Sequence, residues 1–391
     1  MPPTMTDVLV IGAGVIGCAA ALALSRRGAS VRVLERSGGL SAQLPLPGAL
    51  GTGDGASWAA AGILGAQVES DEDGPMARLC LAGRERYPAW SASLAEATGI
   101  DVGYRRSGAL RVAYDEEERD DMIREVAWQR EAGLSFTPLD RDAARAAEPE
   151  LSLAVAGGVR FPDDARIDPP SLMRALRIAA ERAGAMFGGG SPARRVLVDG
   201  GQAWGAALED GTTLSAARVV LAAGCWSSLI EGAALQPDAV RPARGQIVEL
   251  LPATPVLQQV VYGPGCYLSP RDDGRVLVGA TTEFVGFTPG NTARAVHDLV
   301  AAALRLVPAL GDAAMGRCWS GLRPHTPDEL PLLGEGEIRN LIFATGHFRN
   351  GILLGPITAE IVAALTAGEP SPLDLGPFAP TRLQMDHAAG G

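Results

Sequence analysis

Four residues near the start of the chain have the types and spacing to hold a dinucleotide. Gly12, Gly14 and Gly17 stand in G-x-G-x-x-G order, and Glu35 follows about 18 positions after Gly17. In such a turn the first glycine lets the chain reverse tightly and the second admits a pyrophosphate against the backbone. The third lets helix and strand pack closely. Unpaired N–H groups at the helix start, and the helix dipole, then favour the anion. A carboxylate at the position of Glu35 accepts from a ribose hydroxyl and disfavours a 2′-phosphate, so FAD or NAD is expected over NADP. A second group with chemistry in it is Arg323, followed by a rigid proline in Gly321-Leu322-Arg323-Pro324. A guanidinium donates two parallel hydrogen bonds to a carboxylate and stays charged when desolvated. The alternative is a scaffold arginine paired with Asp328 or Glu329.

The elements that must position these groups are legible around the glycines. Val8–Ile11 is a short apolar strand, Cys18–Arg26 a small-residue helix ended by Gly28, and Ser30–Leu34 a second strand. Further along, the residues 37–55 read as a Gly/Pro/Leu-rich loop. Helices are expected over 75–97, 115–133, 138–149, 171–183, 292–306 and 352–365, with Asp168 capping the fourth. A strand pair is expected over 104–114, and strands over 157–161, 193–198, 203–209 and 218–222. Arg241–Leu250, Tyr267–Pro270 and Arg275–Ala280 alternate as antiparallel strands. Trp319–Leu333, dense in Pro and Gly, reads as irregular, Leu341–Ala344 as a buried strand, and the tail after Gly368 as loosely ordered. The sum is a mixed α/β chain: a Rossmann-like dinucleotide domain with an antiparallel-sheet platform as a second domain.

Composition bounds the rest. At 391 residues with 47% apolar and 20% charged residues, the chain can bury a large core. A net charge of −11 disfavours nucleic acid and anionic membrane surfaces as partners. No apolar run reaches spanning length, and Met1–Thr6 has no basic leader. Five spread cysteines without C-x-x-C spacing, and four scattered histidines, give neither a disulfide framework nor a metal site and point to a reducing cytoplasm.

Seven ordered blocks carry a resemblance. They are VIGAGVIG (Val10–Gly17), ASWAAAGILGAQVE (Ala56–Glu69), VVLAAGCWS (Val219–Ser227), RPARGQ (Arg241–Gln246), CYLSPR (Cys266–Arg271), GLRPHTPDELPLLG (Gly321–Gly334) and ATGHFRNGILLGPITAE (Ala344–Glu360). In these the chain resembles the glycine oxidases of the ThiO type, within the D-amino-acid-oxidase-like FAD enzymes. The resemblance implies an FAD-binding domain over about 1–82, 150–240 and 318–370, a substrate domain over about 83–149 and 241–317, and a tail over 371–391. It implies FAD contacts from Gly12, Gly14, Val15, Ile16, Gly17, Glu35 and Arg36, then from Ala56, Ser57, Ala61, Gly62 and Ile63, from Ala193 and Gly224, and from His347, Phe348, Arg349, Asn350, Gly351, Ile352 and Leu353. A helix start near Gly351 would offer backbone N–H groups to the flavin's pyrimidine edge. Arg323 is the carboxylate clamp of the family, Tyr267 its phenolic helper, and Arg349 the arginine beside flavin and substrate. Gly265 and Thr282 are expected at the pocket's edge. Gly321 stands where sarcosine oxidases carry a flavin-linking cysteine, so FAD is expected to be noncovalent.

The activity so implied is oxidation of glycine or another small amino acid or secondary amine, such as sarcosine or D-alanine. Hydride passes from Cα to flavin N5, and O2 is reduced to H2O2. The imine yields glyoxylate and ammonia or passes to a thiazole synthase for thiamine synthesis, and the relatives tend to homo-oligomers, tetramers among them. The alternatives are an amino-acid dehydrogenase with another electron acceptor and a flavoprotein subunit acting with a partner.

Overall fold

The protein, seen in a computed structural model, is described over residues 6–37 and 55–384. The expected 37–55 loop lies outside the described residues except at its two ends.

Alternation along the first strand sets up a three-layer unit. In Thr6–Ile11, Val8 and Val10 point to one side and Leu9 and Ile11 to the other, because successive side chains leave a strand on opposite faces. The Val8 side packs on the helices Val15–Arg26, Pro75–Thr98, Pro169–Arg182 and Gly355–Ala367. The Leu9 side packs on the antiparallel pair Ala193–Asp199 and Gln202–Leu208 and the segment after it. Covered on both faces, the central strands are continuously apolar, as a parallel sheet requires. Their order is Leu332–Glu335, Leu341–Thr345, Thr213–Leu221, Thr6–Ile11, Val31–Glu35 and Met186–Gly189. All neighbouring pairs run parallel except the first.

The second sheet has eight strands in the order Ala314–His325, Arg241–Leu251, Val276–Gly279, Cys266–Pro270, Val260–Gly263, Ala109–Ala113, Gly157–Phe161 and Thr137–Asp140. It is antiparallel but for the pairing of Val260–Gly263 with Ala109–Ala113. One face, with Val248, Leu268 and Val278, buries the helix Ala293–Leu306 through Leu299, Ala303 and Leu306. The other face, with Ile247, Leu277 and Trp319, packs on Ala61, Ala59 and Ile63.

Several expectations are corrected. Trp319–Leu333 is not irregular up to His325: residues 314–325 form a strand at the sheet's edge, where proline is tolerated because one side of the backbone needs no ladder. Pro324 there stands opposite Pro242, and Gly321 opposite Gly245. Of the expected 104–114 strand pair only Ala109–Ala113 forms, with Arg105 in an isolated bridge to Arg166, because Gly103 and Gly108 take positive φ. The 115–133 helix is two, Glu116–Glu125 and Trp128–Glu131, and 138–149 is a strand end followed by the helix Arg141–Ala147. The closing helix begins at Gly355, after a tight turn through Phe348–Asn350. The tail is docked as far as Gln384: Phe378 is buried in the core and Arg382 pairs with Asp328. Asp168 caps its helix as expected, accepting from the Ser171 N–H. The helix Pro75–Thr98 and the strand Ala314–His325 each run across an expected domain limit.

Candidate active site

The C-terminal ends of the parallel strands open on one cavity of about 510 Å³. Ile11, Glu35, Ala222 and Thr345, at or just past four strand ends, all line it, which is where open α/β sheets bind ligands. At the first end, the turn Gly12-Ala13-Gly14 leads into the helix Val15–Arg26. Gly12 has φ +108, and a side chain on it would overlap the carbonyl oxygen of Ala222, so the turn can pass only as glycine. Gly14, the N-cap, has no side chain to cap the helix, and Ser57 Oγ accepts from the Val15 N–H at 2.9 Å. Beyond the Val15 N–H, the helix start faces the cavity and is suited to an anion. Glu35 Oε2 accepts from the Ala13 N–H at 3.0 Å and Oε1 from the Ser37 N–H at 3.1 Å. Oε1 also accepts from the Ser37 hydroxyl at 3.2 Å, and with about two acceptor sites per carboxylate oxygen it is Oε2 that retains capacity for a ribose hydroxyl. Arg36 lies 3.8 Å over the Trp226 ring beside them.

The middle of the cavity is walled by residues 55–63 and by the 345–352 turn. Buried Arg271 donates to the carbonyls of Ala61 and Ile167, and Trp319 Nε1 donates to Ala59 O at 2.9 Å, so the second sheet holds the 59–61 backbone in place. Across from it, the N–H groups of Gly351 and Ile352 have no acceptor among the described residues. His347 is buried and its Nε2 meets Thr358 Oγ1 at 3.1 Å. Burial pushes its pKa down to about 3, so it stands neutral. A glycine turn at a helix start that faces the cavity, a carboxylate at the second strand end and free backbone donors at Gly351 and Ile352 are a donor set that fits FAD.

The far end is written by cross-strand register. Arg323 and Tyr267 project from strands three apart, over Gly245 and Gly279 of the two strands between. A side chain at Gly245 would overlap the Arg323 guanidinium, and one at Gly279 the Tyr267 phenol. The two glycines are the floor on which these groups lie. Arg323 donates to Thr281 O at 2.9 Å and shares the cavity with Tyr267. Burial pushes the Arg323 pKa down, against the pull of Tyr267, yet an arginine so placed remains charged. Burial likewise raises Tyr267 to about 12, so it is a neutral donor. Asp328 pairs with Arg382, and Glu329 lies 3.9 Å from His325, so neither is the partner of Arg323. Arg349 lines the same cavity, its pKa raised chiefly by the carboxylate of Glu69.

The structure thus gathers Arg323, Tyr267 and Arg349 around one cavity with Gly12, Gly14, Val15, Ile16, Glu35, Arg36, Ala56, Ser57, Ala61, Gly62, Ile63, Ala193, Gly224, His347, Phe348, Gly351 and Ile352. Gly17, Asn350 and Leu353 do not line it. A side chain at Gly17 would overlap Gly12 O, so that residue serves helix packing. Asn350 closes the turn, donating to His347 O and accepting from the Leu354 N–H, and Leu353 is in the core. Nor do Gly265 and Thr282 edge the cavity: Gly265 is a hairpin turn facing Ala302 of the helix Ala293–Leu306. Sequence reasoning missed Glu69, Gly245 and Gly279 as site residues. Gly245 and Glu69 fall inside quoted blocks, which was the available signal.

A model of the family described as FAD dependent oxidoreductase matches residues 7–365. The chain is 39% identical over 388 residues to the bifunctional protein ThiO/ThiG of Synechocystis sp., covering 97% of this chain and 54% of that one. It is 37% identical over 381 residues to a glycine oxidase of Geobacillus kaustophilus, covering 96% and 97%. The crystal structure of glycine oxidase from Geobacillus kaustophilus matches with a TM-score of 0.89 at 36% identity, over 97% of this chain and 99% of that one. The chain therefore spans about half the length of the ThiO/ThiG relative and nearly all of the glycine oxidase. Cradle and match agree: the chain belongs to the FAD dependent oxidoreductase family, with FAD as its cofactor.

Proposed function

We propose that the protein oxidises glycine and other small amines bearing a carboxylate, sarcosine and D-alanine among them. The observation that carries this is the charged Arg323, with Tyr267, in the same cavity as the dinucleotide cradle. Arg323 has five N–H donors and spends one on Thr281 O, which leaves a fork for a substrate carboxylate. Tyr267 adds a neutral hydroxyl to the same group. With the carboxylate fixed at two points, Cα is held in one orientation, and that positioning is the protein's main contribution to rate. Ile63, Ile247 and Phe348 line this end and exclude water. FAD, when bound, supplies the chemistry that takes hydride from Cα and lets O2 be reduced to H2O2. The imine then hydrolyses to glyoxylate and ammonia, or is handed to a thiazole synthase, which the ThiO/ThiG name of the relative supports.

The first sheet's elements form the FAD domain in this reading and the second sheet's the substrate domain. In the same reading FAD is held without a covalent link, because Gly321 lines the cavity without a side chain that could form one. A homo-oligomer in the cytoplasm completes the reading; all five cysteines are free thiols, and no helix among the described residues is long and apolar enough to cross a membrane. The test is to add glycine, sarcosine and D-alanine to the flavin-loaded protein without air, then admit air and assay H2O2. Bleaching followed by peroxide is expected. Bleaching without reoxidation would make it a dehydrogenase, and no bleaching would make it a subunit that acts with a partner.

A further inference from the structure

Beyond the Arg323–Tyr267 pair the cavity holds a second pair of opposite charges. Arg349 makes no hydrogen bond or ion pair within 4 Å among the described residues; its guanidinium carbon lies 5.5 Å from the Phe348 ring centroid. Glu69 lines the same cavity, and its Oε1 accepts from the Tyr262 hydroxyl at 2.5 Å. Its other oxygen has no hydrogen-bond partner among the described residues.

Glu69 is built in rather than loosely placed. The N–H groups of Gln67 and Val68, just before it, donate to the buried carboxylate of Asp164 at 3.1 and 2.9 Å, and Arg84 pairs with that carboxylate at 3.0 Å. Gly65 leaves room for the Val68 side chain, and the Tyr262 ring rests against Tyr267 with centroids 5.9 Å apart. The Tyr267 that serves the substrate carboxylate is thus packed against the tyrosine that fixes Glu69.

Arg349 and Glu69 line the same cavity as Arg323 and Tyr267, so the remaining groups of a substrate held on Arg323 share that space with both charges. An unpaired guanidinium there would recruit a second acidic group, whereas a fixed carboxylate cancels it and favours an amine N–H. Building on the oxidase reading above, we propose that Glu69 is a specificity-determining residue that confines the site to amines with one carboxylate by neutralising Arg349. Loss of its charge opens the site to amines carrying a second acidic arm.

The test compares Glu69→Gln, which keeps the shape and the acceptor for Tyr262, with the wild type. Two ratios are measured on flavin-loaded protein. One is kcat/KM for iminodiacetate over glycine, and the other is the calorimetric affinity for malonate over acetate, neither of which can be oxidised. Both ratios are expected to rise at least tenfold in Glu69→Gln and to fall back in the double variant with Arg349→Gln. Arg349→Gln alone is expected to lower the malonate ratio below the wild type. Unchanged ratios with intact acetate binding, or a gain that persists without Arg349, would overturn the proposal alone. Wild-type protein that neither oxidises glycine nor binds acetate would overturn the oxidase reading and this proposal with it.

Discussion

The two ends of the cavity are built by different means. The cofactor end uses short consecutive runs, 12–16, 35–36, 56–63 and 345–352, and presents mainly backbone groups at strand and helix ends. The end proposed for substrate relies on single side chains: Tyr267 and Arg323 are brought together by register across a sheet and floored by Gly245 and Gly279, and Glu69 and Arg349 join them from turns outside that sheet. A backbone-built site is set by local turns and tolerates change in most side chains. A register-built site depends on what each neighbouring strand leaves vacant.

Substitutions that separate the two ends test this contrast. Gly12→Ala should strike the cofactor end hardest, because it combines positive φ with overlap on Ala222 O. Flavin affinity is expected to fall at least 100-fold, roughly 3 kcal/mol, as measured by flavin retained on gel filtration and by titration.

His347 gives the cofactor end a pH signature. Its folded pKa, about 3, lies below the ordinary 6.5, so the native state binds fewer protons than the unfolded one. The stability this contributes is present above pH 6.5 and is lost as pH falls toward 3. Denaturant unfolding at pH 7 and 4.5 should show roughly 3 kcal/mol less of this pH-dependent loss in His347→Asn than in the wild type.

Gly245→Ala is the mirror of Gly12→Ala. It should displace the Arg323 guanidinium and raise KM for glycine roughly 30-fold, about 2 kcal/mol, while flavin affinity stays unchanged. Equal loss at both ends would break the contrast. The smallest effect is expected from Glu35→Ala: flavin affinity about tenfold weaker, near 1.4 kcal/mol, with KM for glycine unaltered once flavin is saturating.

The same contrast explains what was legible in the chain. Asp7–Glu35 could be read from residue types alone, because strand, glycine turn, helix and carboxylate act through their own local geometry. Arg323 was legible as a carboxylate binder but was placed in an irregular segment. Pro324 argues against a strand unless the strand is an edge facing Pro242, and that is a property of the partner. Gly279 could not be assigned at all, since its role is to leave space for Tyr267 on the next strand. Glu69 sits in a block recognised by resemblance, yet its cavity-facing role depends on Tyr262 and Asp164, almost two hundred and almost one hundred residues away.

The central claim is that Arg323 binds the carboxylate of an amine oxidised in the FAD cavity. Anaerobic glycine titration of flavin-loaded wild type and Arg323→Ala tests it most directly. The wild type is expected to bleach and the variant to need a half-reducing glycine concentration at least 100-fold higher, a difference of roughly 3 kcal/mol, at equal flavin content. Half-reduction of both at the same glycine concentration, or no bleaching of the wild type, would contradict it.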